Sequence, residues 1–210
     1  LEDIGIKVVG KATVGDRRAQ IEKAFHSGLE SADIVISTGG LGPTFDDLTK
    51  TVACELMGCI PVLRPEEEKR LRDYFAQRKR PMPEINLKQA MFPPEAEVLP
   101  NPQGTAPGMY LRHNNKLLIL LPGPPREMTK MYLEQVKPRL ERDYAAELQK
   151  VICRTIKVLG PGESQVEEIL ASLMDNPRGC SMALLAKEGE IHIKITAEGV
   201  DEADRHKILD

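Results

Sequence analysis

A glycine-rich loop, Thr38-Gly39-Gly40-Leu41-Gly42-Pro43-Thr44, follows the apolar residues 33–37 and precedes a helical stripe that begins near Leu48. At the carboxyl end of a parallel strand, glycines let backbone N–H groups approach phosphate oxygens, and the next helix adds a favourable partial charge. Tight turns also need glycine for steric reasons alone, and no Gly-Lys-Ser/Thr of a Walker A loop follows. The candidate phosphate contacts are Thr38, Gly39, Gly40, Gly42 and Thr44.

Two carboxylates, Asp46 and Asp47, come directly after this loop. They would repel a bound phosphate unless a cation stood between them, and a hard divalent ion such as Mg²⁺ is suited to that position. The alternative is that an aspartate caps the helix that follows. We expect one of the two to be the cap and the other, preferably Asp47, to serve in metal binding or proton transfer.

Two more loops have the composition of ligand-binding turns, Gly104-Thr105-Ala106-Pro107-Gly108 and Pro122-Gly123-Pro124-Pro125-Arg126-Glu127. If the strand at residues 116–121 runs parallel to the strand before the first loop, the first and third loops leave the same sheet edge. Arg126 then offers bidentate contacts to a phosphate, or alternatively pairs with Glu127. The candidates added by these loops are Gly104, Thr105, Gly123 and Arg126.

The segment at residues 80–90 is rich in polar side chains. Asn86 and Gln89 have helical i,i+3 spacing, and Lys88 lies on a different face. The segment forms either a lip that contacts the base or ribose of a nucleotide, through Asn86 and Lys88, or a solvated helix.

The elements that position these loops alternate between strand and helix. A strand at residues 6–9 follows Gly5, which reads as a helix stop, so Leu1 is expected to be the tail of a truncated helix whose preceding strand is missing. A helix at residues 16–30, the strand at residues 33–37, the glycine loop and further helices then predict a mostly parallel, doubly wound sheet. From residue 151, strand, helix and two hairpin-linked strands predict a smaller α+β domain. The expected domains are residues 1–145 and 150–210.

Composition excludes some classes of function. A net charge of −3 gives no reason to expect a nucleic-acid partner, and no apolar run approaches the roughly 20 residues that span a bilayer. The four cysteines form no Cys-x-x-Cys pair, so we expect buried free thiols in a cytoplasmic protein.

Several of these motifs, in this order, resemble the CinA (competence/damage-inducible protein) family. They are Thr38 to Thr49, Arg80-Pro81-Met82-Pro83-Glu84, the loop at Gly104 and Leu121 to Met128, with Gly160 and Ala186-Lys187 in the small domain. The resemblance implies a three-layer α/β/α fold similar to molybdopterin-binding domains, a homodimer, and an ADP-ribose pyrophosphatase that depends on Mg, Mn or Co. It also implies that Asp47 acts in metal-assisted phosphate chemistry, and the acidic pair itself adds Asp46 as a second catalytic and metal-binding candidate.

The leading hypothesis is therefore an enzyme that hydrolyses ADP-ribose to AMP and ribose 5-phosphate. The alternatives are a molybdopterin-binding or adenylyl-transferring protein of molybdenum-cofactor biosynthesis, and a non-catalytic nucleotide-binding module. The nicotinamide-mononucleotide deamidase domain that many family members carry is not expected in these 210 residues.

Overall fold

A computed structural model describes residues 1–148, 151–174 and 180–198, which form two compact units. One unit is Val9–Leu140. The other contains Leu1–Val8 and the described residues from Glu141 onward. Leu1–Val8 thus clusters with the second unit instead of the first, since Lys194 of that unit pairs with Glu2 at 3.3 Å. Over the described ranges, no helix has the length and apolar character needed to cross a membrane.

The sheet of the first unit has the strand order β1-β6-β5-β4. Its strands are β1 (Ile34–Thr38), β4 (Glu97–Leu99), β5 (Gly108–His113) and β6 (Lys116–Leu121). β1 and β6 are parallel, as predicted, whereas β5 is antiparallel to both β4 and β6. The sheet described here is therefore mixed and not mostly parallel. The cause is the two-residue link Asn114-Asn115, with both residues at positive φ, which returns the chain to an antiparallel neighbour.

The helices of this unit follow the predicted apolar stripes closely. They are α1 (Arg18–Ser31), α2 (Thr49–Leu56), α3 (Pro65–Gln77) and α4 (Pro125–Met131), then a π-helical segment (Tyr132–Val136) and α5 (Lys137–Asp143), which enters the second unit. A 3-10 segment (Glu84–Ala90) precedes the short strand β3 (Met91–Phe92), which pairs with β2 (Val62–Leu63).

One face of the sheet is covered by α1 and α2. Leu118 and Leu120 of β6 form an apolar cluster with Phe25 of α1 and Val52 of α2. Full burial of such a side chain contributes about 1.5–3 kcal/mol, so this cluster fixes both helices against the strands that hold the glycine loop.

The opposite face is also buried. Leu117, Ile119 and Leu121 alternate with the residues of the first cluster and are at most 1% exposed. On this face Met131, at the end of α4, lies 3.1 Å from the position that a Cβ on Gly108 would occupy. The sheet therefore lies between two helical layers, and the predicted α/β fold with a second, smaller α+β domain is confirmed.

The second unit has a three-stranded antiparallel sheet in the order β7-β9-β8. Its elements are β7 (Val151–Leu159), α6 (Glu163–Met174), β8 (Cys180–Lys187) and β9 (Glu190–Glu198). Val166 of α6 packs with Ile191 and Ile193 of β9. The predicted hairpin turn is present, with Gly189 at φ 80°.

The predicted strand at residues 6–9 is wrong. Gly5 does end a helical turn in the left-handed conformation, but that turn is the 3-10 segment Glu2–Ile4. The following residues have no strand partner among the described residues, and Val9 is 62% exposed. Without a neighbouring strand, a short apolar run has no ladder of backbone hydrogen bonds to join.

The four cysteines are free thiols, as predicted, but only two of them are buried. Cys54 and Cys59 lie in the core of the first unit, whereas Cys153 is exposed and Cys180 is half-buried. Val158 of β7 packs into the cluster formed with α6, whereas Cys153, five residues earlier in the strand, lies on the opposite face and is exposed.

Candidate active site

The first and third glycine loops leave the sheet together because β1 and β6 are parallel and end in register. Thr38 lies opposite Leu121, and the N–H of Gly39 donates to the carbonyl of Leu121 at 2.9 Å. A Cβ on Gly123 would lie 3.3 Å from the Cα of Gly39. The two loop backbones are therefore close neighbours at the carboxyl edge of the sheet, where α/β proteins bind ligands.

Position 40 requires glycine for two reasons, its backbone conformation and the lack of space for a side chain. Its φ is +66°, and a Cβ there would overlap the hydroxyl of Thr49, the first residue of α2. The N–H of Thr49 also donates to the carbonyl of Gly40 at 3.2 Å. The loop is thus folded tightly onto the start of the helix.

The acidic pair binds its own loop. The N–H of Thr44 donates to Oδ2 of Asp47 at 2.9 Å, and the Thr44 hydroxyl lies 2.5 Å from Oδ1 of Asp46 and from Oδ2 of Asp47. One hydroxyl proton serves only one of these two oxygens at a time. Three oxygen atoms thus converge at a point where a cation or a proton would relieve their repulsion.

The expectation that one aspartate caps the helix is wrong. α2 is preceded by Leu48, and no side chain forms a cap hydrogen bond there. Asp47 is not free either, because its carboxylate turns back towards Thr44 and fills the space left by the missing side chain of Gly42.

Asp46 is the more accessible carboxylate of the pair. It is exposed, and the hydrogen bond from the Thr44 hydroxyl, aided by a backbone hydrogen bond, lowers its pKa below the ordinary value. A hydrogen bond to the ionised form favours that form, so Asp46 presents a stable negative charge to a ligand or metal.

Lys88 holds this loop from outside. Its ammonium donates to the carbonyl of Asp47 at 2.6 Å and to the carbonyl of Thr44 at 3.1 Å. We predicted Lys88 as a ligand contact, and the structure places it beside the acidic pair with two backbone carbonyls as its partners.

Asn86 and Gln89 are buried, so the alternative of a solvated helix is wrong. The Asn86 amide donates to Oε1 of Gln89 at 2.9 Å, and Nε2 of Gln89 donates to the Thr105 hydroxyl at 3.3 Å. These side chains connect the 3-10 segment to the second loop. The proposed lip over a nucleotide remains a prediction.

The second and third loops are joined by Asn101. Its Nδ2 donates to Oε2 of Glu127 at 2.6 Å, and its Oδ1 accepts from the N–H of Gly104 at 3.0 Å. Glu127 therefore pairs with Asn101 and not with Arg126, which is exposed and forms no ion pair within the described residues. An unpaired guanidinium at this edge is available to an anionic ligand.

The sequence reasoning did not identify Lys50. This residue is only 7% exposed, its ammonium donates to the carbonyl of Gln89 at 3.1 Å, and it lies 3.9 Å above the ring of Phe92. Burial lowers its pKa to about 7. A lysine in a helix usually marks a solvated face, and Lys50 lies outside the stripe of Leu48, Val52 and Leu56 that predicted α2.

The donor atoms suit a hard divalent ion. The acidic pair and Thr44 offer oxygen atoms only, which is the ligand type that Mg²⁺ prefers. No group of three His, Cys, Asp or Glu side chains is assembled in the part of the chain that the structure describes. Two carboxylates fit an ion that completes its coordination with phosphate oxygens and waters.

The fold and its loops define the class of protein. Residues 1–142 match a family described as "Probable molybdopterin binding domain", and residues 153–210 match the "Damage-inducible protein CinA KH domain". The chain therefore belongs to the CinA family, with a molybdopterin-binding-type domain in its first part.

Individual relatives agree with this membership. A "CinA-like protein" of Syntrophomonas wolfei is 62% identical over 197 residues, which cover 94% of this chain and 47% of that protein. A "Putative competence-damage inducible protein" of Clostridium novyi is 41% identical over 210 residues, 100% of this chain and 50% of that protein. The chain thus spans about half the length of these relatives.

A solved structure shows the same fold. The crystal structure of CinA from Thermoplasma acidophilum is 34% identical, with a TM-score of 0.53, over 61% of this chain and 72% of that one. That protein is described as having unknown function, so the likeness supports the fold and the family.

Proposed function

We propose that this chain hydrolyses the diphosphate of ADP-ribose, giving AMP and ribose 5-phosphate, with a divalent metal as cofactor. The observation that supports the proposal is the close approach of two glycine loops, at Gly39 and Gly123, beside the acidic pair Asp46 and Asp47. Backbone approach without side chains suits phosphate oxygens, and carboxylates beside a phosphate call for a cation.

Each residue has a defined part in this proposal. Gly39 and Gly123 let the backbone reach the diphosphate, and Gly40 and Gly42 let the loop fold onto Thr49 and Asp47. Thr38 and Thr44 flank the diphosphate, and the guanidinium of Arg126 neutralises phosphate charge. Lys88 holds the carbonyls of Thr44 and Asp47, so the acidic pair keeps its position when an anion enters. The second loop, with Gly104 and Thr105, closes the site from the side of Asn86.

Asp46 and Asp47 would hold the metal, with Thr44 between them. A bound divalent ion polarises phosphoryl oxygens and lowers the pKa of its water. In the net reaction, water adds across the anhydride: one bridging P–O bond breaks, one new P–O bond forms, and each product leaves as a phosphate monoester.

The test is AMP release from ADP-ribose by the purified full-length protein with Mg²⁺, Mn²⁺ or Co²⁺. Asp46→Asn should abolish most of the release. Asp33→Asn is the matched control, because Asp33 is an exposed carboxylate next to the opposite end of β1, paired with Lys116. Absence of AMP with all three metals would overturn the proposal.

A pterin ligand is the second candidate, favoured by the match of residues 1–142 to the molybdopterin-binding family. In this reading the same two loops bind the phosphate of the pterin. Binding of molybdopterin and ADP-ribose measured side by side separates the candidates, and tight nucleotide binding without turnover would indicate a non-catalytic module.

A further inference from the structure

A cleft of about 230 Å³ lies beside the acidic loop, lined by Lys50, Thr51, Pro61, Lys88 and Met91. Pockets that enclose a whole drug-sized ligand measure roughly 300–1,000 Å³. The cleft is therefore large enough for one end of a small molecule and too small for a complete dinucleotide.

The ammonium of Lys50 has unused hydrogen-bonding capacity in this cleft. An ammonium has three donors, and within the described residues the carbonyl of Gln89 is its one hydrogen-bond acceptor. The face of the Phe92 ring, 3.9 Å away, adds a cation–π contact but accepts no conventional hydrogen bond. A buried cation with this few partners is unfavourable unless an anion completes its environment.

None of the described residues that line the cleft carries a carboxylate. A carboxylate that acts on Lys50 electrostatically is that of Glu67, and both of its oxygens accept hydrogen bonds from Arg70, at 2.9 and 2.8 Å. Lys88, the second cation of the cleft, repels Lys50. Two like charges with no acidic neighbour in the lining create a local positive potential that attracts an anion.

We propose that this cleft is a subsite for a phosphate monoester, held by the ammonium groups of Lys50 and Lys88. Both products of the proposed hydrolase reaction are phosphate monoesters, so the subsite would bind one of them. Only the identity of the natural ligand rests on the proposed function. Lys88 links the two regions because it lines the cleft and also binds the carbonyl of Asp47.

The experiment is an NMR titration of lysine-labelled protein at pH 6, where the Lys50 amine is charged, in the absence of metal, with inorganic phosphate and with ribose 5-phosphate. The side-chain resonance of Lys50 should shift in step with saturation by either compound. Lys50→Met should weaken phosphate binding at least tenfold, and Lys50→Arg, which keeps the charge, should retain most of it. Acetate should bind at least tenfold more weakly than phosphate.

The matched control is Lys116→Met, which removes a cation at the start of β6, where Lys116 pairs with Asp33. Its phosphate affinity should stay within twofold of the wild type. Thermal unfolding verifies that each variant is folded, and Lys50→Gln repeats the test should Lys50→Met fail to fold.

The proposal is overturned if the Lys50 resonance does not move at saturating phosphate, or if folded Lys50→Met or Lys50→Gln binds phosphate like the wild type. Equal binding of acetate overturns the assignment to phosphate monoesters. Because the titration needs neither metal nor turnover, a protein that binds phosphate at Lys50 but releases no AMP contradicts the hydrolase proposal alone.

Discussion

Thr44 binds one oxygen of Asp47 twice, through its N–H at 2.9 Å and its hydroxyl at 2.5 Å. This arrangement folds Asp47 onto the glycine loop and leaves Asp46, which competes for the same hydroxyl proton, at the surface. The two aspartates therefore have different parts. Asp47 shapes the loop, and Asp46 presents a charge.

Thr44→Val should separate the role of the hydroxyl from that of the backbone. The variant loses the hydroxyl hydrogen bonds, so the pKa of Asp46 should rise towards its ordinary value, because the Thr44 bond is the largest cause of its lowering. The free energy of unfolding should fall only slightly, because these hydrogen bonds lie at the surface. Carboxyl-carbon NMR titration measures the pKa of Asp46. Thr44→Ser, which keeps the hydroxyl, is the control. An Asp46 pKa that is the same in Thr44→Val and the wild type would contradict this account.

The two aspartates should give different results when substituted. Asp46→Asn should reduce metal-dependent hydrolysis of ADP-ribose by about 100-fold or more without lowering the melting temperature, since the exposed carboxylate proposed to hold the metal is lost. Asp47→Ala should lower both, because the N–H of Thr44 loses its acceptor at a cost of about 1 kcal/mol. Turnover and thermal unfolding are measured on the same preparations. Equal stability of Asp47→Ala and the wild type would show that Asp47 does not shape the loop.

Gly40→Ala and Gly58→Ala form a matched pair. Both glycines have positive φ, +66° and +69°, but a Cβ at Gly40 meets the Thr49 hydroxyl, whereas none of the described atoms lies within 4 Å at Gly58. Gly58→Ala should cost about 1–2 kcal/mol for the left-handed backbone. Gly40→Ala should cost about 1–3 kcal/mol more for the overlap. Urea unfolding compares the two, and equal costs would mean that the contact with Thr49 is relieved without strain.

The helices and the parallel pair of strands could be predicted because their residues repeat locally. Val52 and Leu56 mark α2 by their spacing alone, and the apolar run of β6 requires cover on both faces. The mixed character of the sheet depends on the short turn at Asn114, and the fate of residues 6–9 depends on pairing between distant segments. Neither property is encoded in a local repeat.

The sequence predicts where in the fold the candidate site lies, but it does not predict the side-chain contacts within that site. Glycine loops after parallel strands predict that these loops meet at one sheet edge, as Gly39 and Gly123 do. In contrast, the contacts of Asn101 with Glu127 and of Gln89 with Thr105 join residues 26 and 16 positions apart. The burial of Lys50 is the clearest example of a property that the sequence alone does not predict. Its burial results from the packing of α2 against the segment that ends at Phe92, and the type of a single residue does not reveal such packing.

The free energy of unfolding should depend on pH in the wild type through the titration of Lys50. Lys50→Met should lack this contribution. Burial lowers the pKa of Lys50 to about 7, with repulsion by Lys88 as a further lowering influence and attraction by Glu67 opposing it. In the unfolded chain a lysine has a pKa of about 10.4. Between these values the unfolded state binds a proton that the folded state does not, so the contribution of Lys50 to the free energy of unfolding rises with pH.

Below about pH 7 the amine is charged in both states, and the full cost of burying it is present. From there to about pH 10 this cost should decline with a slope of up to about 1.4 kcal/mol per pH unit. Lys50→Met should therefore exceed the wild type in stability most at pH 6, and the difference should shrink by pH 9. Denaturant unfolding of both proteins across this range measures the difference. Cys54, whose pKa burial raises to about 11, stays a neutral thiol in this window and does not obscure the result. Parallel pH profiles for the two proteins would show that the Lys50 amine keeps its proton in the folded state.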